Sequence, residues 1–273
     1  MPTQGKPAER SFDPSICDFR FCDPRIALIP HLPFAICHLP SSPFPRHTAL
    51  VELDHLFIYA QAGAPEAVRL SEIGLTEGPP NTHPGQGTAC RRFFLHNAYI
   101  ELLWVETPAE VQSALTQPVR LWERWSNRRQ GACPFGFCFR PTAPGDTSEA
   151  PPFNTRAYSP PYLPDGLSLG VGTNVEVFAE PALFWLSFAK RSDARPVSER
   201  PPLVHANGWR EITRVQSVNP HRAVPSSAWQ AVLDAGVVQS VPGEDYWLEI
   251  EFDGEGTGKR ADLRPELPLV LRW

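Results

Sequence analysis

Proline restricts this chain more than any other residue type. Of its 273 residues, 32 are proline, more than twice the ordinary share of about 5%. The ring removes a backbone donor and fixes φ, so a proline ends a regular helix and is barred from central strands. Nine prolines fall within residues 1–48 and seven within residues 141–166. Residues 1–48 show no helical or alternating apolar period, and the expectation is an irregular, disordered extension. A sharper expectation is that translation starts near Val51 and that 1–48 is no part of the functional protein. A peptide from residues 1–45 in native extracts would reject it.

The rest of the composition narrows the function classes. Twenty-five Lys and Arg against 30 Asp and Glu give a net charge of −5, and no basic block offers a phosphate-binding footprint, so nucleic acid is not an expected partner. No apolar run reaches the 18 or so residues that span a bilayer. Ile26–Leu39 is broken by Pro30 and Pro33 and carries His31 and His38, so it is not read as a signal peptide. A soluble, cytoplasmic protein without a membrane partner is expected. Six cysteines at 17, 22, 37, 90, 133 and 138 form no CxxC pair, and free thiols are the simpler reading.

From Val51 the texture changes. Val51–Tyr59 reads as a strand rich in β-branched and aromatic residues, and Ala67, Leu70 and Ile73 set a helix over 64–73 that Gly74 stops. Strands follow near Cys90–Leu95 and Ala98–Val105, a short helix at Leu121–Trp125 and a strand at Pro134–Arg140. Leu167–Val171 and Ala182–Ala189 return to strand character. Ile212–Val218, Tyr246–Asp253 and Leu267–Trp273 are strands, with a helix from Ser226 to Ala235 capped by Ser226 and ended by Gly236. Tyr99-Ile-Glu-Leu-Leu-Trp104 parallels Trp247-Leu-Glu-Ile-Glu-Phe252, and Leu53-Asp-His-Leu56 parallels Ile212-Thr-Arg-Val215, which suggests a diverged internal repeat.

Alternation along the first strand puts Val51, Leu53, His55, Phe57 and Tyr59 on one face. A histidine on an apolar face needs partners for its ring nitrogens, as a hydrogen-bonded core residue or as a ligand. Glu101 is a second oddity, a carboxylate sharing a face with Tyr99, Leu103 and Val105. Imidazole and carboxylate suit a divalent ion, and the two strands place both in one module. Gly85 and Gly87 in His83-Pro-Gly-Gln-Gly-Thr88 let backbone N–H groups approach a ligand, with His83 and Gln86 orienting it, unless the segment is an ordinary turn. His205-Ala-Asn-Gly208 reads as a turn. Two patterns are set aside: Gly166-Leu-Ser-Leu-Gly170 lacks the following helix a Ser168 nucleophile needs, and Gly254–Lys259 lacks phosphate-loop spacing and reads as a hairpin loop.

Leu53-Asp-His-Leu56, His83–Ala89, Asn97–Trp104 and the closing Leu263–Trp273 together resemble the glyoxalase-like branch of the vicinal oxygen chelate superfamily, over about residues 50–273. The resemblance implies an α+β fold of two βαβββ modules whose curled mixed sheets surround a cleft. The expected division is the extension 1–48, a first module with a connecting helix and strand over 49–140, and an insertion with a second module over 141–273. It also implies a divalent metal, Zn, Ni, Mn or Fe, held by His55 and Glu101 with Glu249 as a third ligand. The metal would act as a Lewis acid in a lyase, isomerase or dioxygenase on a small oxygen-bearing molecule, with Glu101 or His83 moving the proton. His83, Gln86 and Arg214 are the substrate-binding candidates. The second half departs from the family pattern: Arg214 stands at the position aligned with His55 and has no lone pair for a metal, and Glu249 shares a face with Glu251 that solvent alone would explain. The alternative is therefore a metal-free small-molecule binding or sequestration protein, like those of bleomycin resistance. A monomer or homodimer is expected.

Overall fold

The computed structural model describes residues 51–143 and 150–273. The extension expected over 1–48, with Cys17, Cys22, Cys37 and a start near Val51, lies outside the described residues. The chain opens with β1 (Val51–Tyr59), α1 (Ala67–Glu72), β2 (Asn81–His83), β3 (Thr88–Phe94) and β4 (Tyr99–Val105). Two short helices, α2 (Pro108–Val111) and α3 (Leu121–Ser126), lead to β5 (Phe135–Pro141), β6 (Thr155–Tyr158), β7 (Leu169–Gly172) and β8 (Ala182–Trp185). The final elements are β9 (Ile212–Asn219), α4 (Ser227–Asp234), β10 (Gln239–Pro242), β11 (Trp247–Phe252), β12 (Arg260–Asp262) and β13 (Leu269–Arg272). The fold is α+β, with mixed curled sheets and few helices.

Strands β1–β8 form one eight-stranded sheet in the order β2-β3-β4-β1-β5-β8-β7-β6. Its two halves have the same wiring. β1 runs parallel to β4, which pairs antiparallel with β3, and β3 with β2. β5 likewise runs parallel to β8, which pairs antiparallel with β7, and β7 with β6. β1 and β5 join the halves as an antiparallel pair. The first half carries α1 between its first two strands; among the described residues the second has no helix between β5 and β6.

The remaining strands form a separate sheet, β10-β9-β11-β13-β12. The repeat expected between residues 53–104 and 212–252 does not hold, because β1 and β4 are parallel whereas β9 and β11 are antiparallel. The shared pattern is the alternation that any strand with one buried face shows. Nor is Gly254–Lys259 a hairpin: it links β11 to β12, and β13 lies between them.

Local signals set the helix ends. α1 starts later than its apolar spacing predicts because Gly63 and Ala64 have φ of +77° and +43°, outside the helical region. Gly74, at φ +98°, ends it, and the Asn207 side chain donates to Ile73 O, taking an orphan carbonyl of the last turn. Ser226 caps α4, its Oγ accepting from Trp229 N at 3.2 Å. Glu180 in turn accepts from the Ser226 backbone N–H and hydroxyl, both at 2.6 Å.

One apolar core lies behind the eight-stranded sheet. Leu56, Ile58, Ile100 and Leu102 point into it with Phe135, Phe137 and Phe139, and α1, α4 and the inner face of the five-stranded sheet cover it. Trp229 of α4 stacks on Phe137 of β5 with centroids 5.9 Å apart, so this C-terminal helix covers the second half of the sheet. Asn97, in the turn before β4, docks the rear sheet: its amide donates to Ile212 O at 2.7 Å and accepts from Ile212 N at 3.0 Å. Cys90, Cys133 and Cys138 are free thiols. Among the described residues no helix is long and apolar enough to cross a membrane.

Candidate functional site

The opposite face of the eight-stranded sheet holds a cleft of about 420 Å³. Its polar end is built by an irregularity in β1. Leu53 pairs with Phe139 and His55 with Cys138, leaving Asp54 as an extra residue. Such a bulge breaks the two-residue period. Val51 and Leu53 therefore pack with the rear core, whereas Phe57 and Tyr59 face the other way. The five-residue face expected from strict alternation is thus split, and Asp54 and His55 both line the cleft.

The consequence is a fixed imidazole. The Asp54 carboxylate takes His55 Nδ1 at 2.7 Å, so Nε2 is the ring nitrogen left for a ligand. The ring lies flat on Tyr99, centroids 4.3 Å apart. Asp54 is anchored by Arg140, which is 2% exposed and donates to Asp54 Oδ1, Leu53 O, Glu52 Oε2 and Asn97 O. A buried guanidinium with this many acceptors offsets its own desolvation and that of the carboxylate.

Glu101 pairs in register with Phe57 on β1 and Arg92 on β3, and it lines the same cleft. His83 and Gln86 line it too, from β2 and the following turn. Both are tied to Thr88: Gln86 Nε2 donates to its hydroxyl at 2.8 Å and His83 Nδ1 bonds the same oxygen at 2.8 Å, while His83 Nε2 bonds Asn81 Nδ2 at 3.1 Å. Burial lowers the His83 pKa below 6.5, opposed by the nearby Glu101 charge, so the ring is neutral at neutral pH. The glycines of this turn do not present N–H groups to a ligand. Gly85 N donates to Glu110 Oε2 and Gly87 N to His83 O. They are needed for conformation and closeness: both have φ +77°, and a Cβ on Gly87 would lie 2.5 Å from Thr107 O.

The second half of the sheet supplies an apolar wall, with Phe184 from β8 and Cys138 from β5. The parallel β1–β4 ladder opens on the His55–Tyr99 pair and the parallel β5–β8 ladder on Gly136–Ala182, so laying one ladder on the other sets Gly136 at the place of His55. The parallel pairs Phe57–Glu101 and Cys138–Phe184 then map Glu101 onto Phe184. Neither counterpart has a donor atom in its side chain. The Phe57 ring fills the space beside Gly136, where a Cβ would meet its Cζ at 2.3 Å. Burial holds the Cys138 thiol well above its ordinary pKa, with Glu101 and Asp54 adding to the shift, so it carries no thiolate.

The structure does not bring Arg214 or Glu249 to the cleft. Both sit on the outer face of the five-stranded sheet, beyond the core. Arg214 donates to Glu251 at 2.8 Å and Glu249 at 3.0 Å, and Arg272 approaches Glu249 at 3.7 Å. The metal that the resemblance implies is not matched by the residues present. His55 and Glu101 give two donors, both nitrogens of His83 are engaged, and no group of three His, Cys, Asp or Glu suited to an ion exists among the described residues. Asp54, Phe184 and Cys138 were not foreseen from the sequence. An acid directly before a strand histidine was the visible signal for Asp54, but alternation assigned it to the other face.

The family described as glyoxalase-like domain matches residues 53–233. No curated protein matches the sequence. A crystal structure of a hypothetical protein from Staphylococcus aureus is similar at 11% identity with a TM-score of 0.46, covering 81% of this chain and 98% of that one.

Proposed function

Because the chain belongs to the glyoxalase-like domain family, we propose that its cleft binds a small organic molecule directly through side chains, with no divalent ion bridging ligand and protein. The observation that carries this reading is the Gly136 and Phe184 pair at the positions related to His55 and Glu101. Half of a converging donor set is replaced by an aromatic surface. The ligand that fits is amphipathic: a flat apolar body against Phe184 and Phe57, with a hydroxyl or N–H donating to Glu101 and to His55 Nε2. Asp54 holds the imidazole through Nδ1, and Tyr99 fixes the ring plane. Such a site binds and orients, the class of a sequestration protein rather than a metal lyase or dioxygenase.

Two measurements test this. N-phenyl-1-naphthylamine, a neutral dye that brightens in apolar sites, is expected to bind one per chain and to be lost in Phe184→Glu. Protein purified without chelators is expected to hold no stoichiometric Mn, Fe, Ni or Zn and to show no thermal shift across that series. Stoichiometric metal that disappears in His55→Ala and Glu101→Ala overturns the reading.

A further inference from the structure

Charge is unevenly balanced along the cleft. At its deep end each acid has a cation at hand: Asp54 has Arg140, and Glu101 faces Arg92 across the β3–β4 pair. At its mouth the segment after β8 contributes Lys190, Arg195 and Glu199. Among the described residues no carboxylate pairs with Lys190 or Arg195, whereas the neighbouring Arg191 is held by Asp193 and Glu211 at 2.9 and 2.8 Å. One acid against two bases leaves this part of the lining with an excess positive charge, in the same cleft as Phe184.

We infer that the ligand of this cleft is an amphipathic anion, an aromatic or alicyclic body bearing one carboxylate, sulfonate or phosphate. This rests on the direct-binding reading above and adds the orientation. The anion sits at the mouth between Lys190 and Arg195, whose planar guanidinium suits a two-oxygen group, and the ring reaches inward along Phe184. A cleft of about 420 Å³ falls in the lower part of the range that small-molecule sites occupy, roughly 300–1,000 Å³, enough for one or two fused rings. The reverse orientation would place the anion beside the Glu101 carboxylate and leave the two bases unused.

The test compares two dyes that share an arylaminonaphthalene body, 8-anilinonaphthalene-1-sulfonate and the neutral N-phenyl-1-naphthylamine. At low salt the sulfonate is expected to bind about tenfold more tightly, the advantage two part-exposed ion pairs supply, and high salt should shrink the difference. Lys190→Ala/Arg195→Ala should bring the sulfonate down to the neutral dye's affinity and leave the neutral dye unchanged, and Lys190→Arg should retain the preference. Equal affinities in the wild type, or a preference that survives the double substitution, overturn the anion assignment while leaving the apolar cleft intact. Failure of both dyes, or binding of both that ignores Phe184→Glu, removes the direct-binding reading and this inference with it.

Discussion

The two halves of the eight-stranded sheet share strand order and direction but not chemistry. Around β1 and β4 the cleft is lined by Asp54, His55, Glu101 and His83; around β5 and β8 the related positions hold Gly136 and Phe184. Backbone pairing dictates where side chains project and leaves their identity free. The difference also extends to the back of the sheet. The first half supplies its own helix, α1, while the second is covered by α4 from the C-terminal segment, with Trp229 on Phe137. Two halves with the same wiring can thus differ, one kept for polar contacts and the other forming a wall.

The largest expected effect comes from breaking the polar half at its anchor. Arg140→Ala leaves Asp54 and Glu52 without their cation and is expected to cost roughly 3–5 kcal/mol, the usual result of removing one member of a buried charge pair. Denaturant unfolding measures it, and a loss under about 1 kcal/mol would mean the cluster behaves as a surface pair. A smaller effect should follow from making the aromatic half more like the polar one. Gly136→Ala sets a Cβ 2.3 Å from Phe57 Cζ and 2.7 Å from Ala182 O, an overpacking worth about 1–3 kcal/mol. In a Phe57→Leu background part of that cost should vanish, and strict additivity in the double-mutant cycle would place the strain elsewhere. The smallest effect concerns pH.

Burial lowers the pKa of His83, on β2, and of His205, which the segment after β8 docks onto the first half: His205 Nε2 bonds Phe94 O and its Nδ1 accepts from Thr76 N. In the unfolded chain each titrates near 6.5. Below that value the unfolded state takes up protons that the folded state refuses, so stability falls as pH drops through it. Cys138 and Tyr162, the titrating groups that the second half brings to the cleft, are pushed upward by burial and stay neutral throughout this range. Acid sensitivity should therefore reside in the first half. Thermal unfolding from about pH 7 to about pH 5 should show a decline that shrinks in His83→Gln, and an unchanged decline would assign it to other groups.

What could be read from the sequence follows from which physical signals are local. The run of β1, the Ser226 cap and the Gly74 stop are local, and each is present as expected. The meeting of His55 and Glu101 on one cleft needed only two strands of a single unit. Strand partnership is not local. Phe135–Pro141 is buried along its whole length, so its sequence carries no facing signal, and nothing in it announces β1 as a neighbour. The repeat drawn to the C-terminal strands failed for the same reason, and it carried Arg214 and Glu249 with it into the expected site. Asp54 stayed hidden because a bulge has no period.

Asn97 joins these regions in a way that matters for the cleft. Its side chain grips Ile212 of the rear sheet through two hydrogen bonds, and its main-chain oxygen receives Arg140, the guanidinium that steadies Asp54. From β9 to the imidazole the chain of contacts therefore passes through one amide, one guanidinium and one carboxylate. The rear sheet thus buttresses, through Asn97 and Arg140, the carboxylate on which the His55 ring rests.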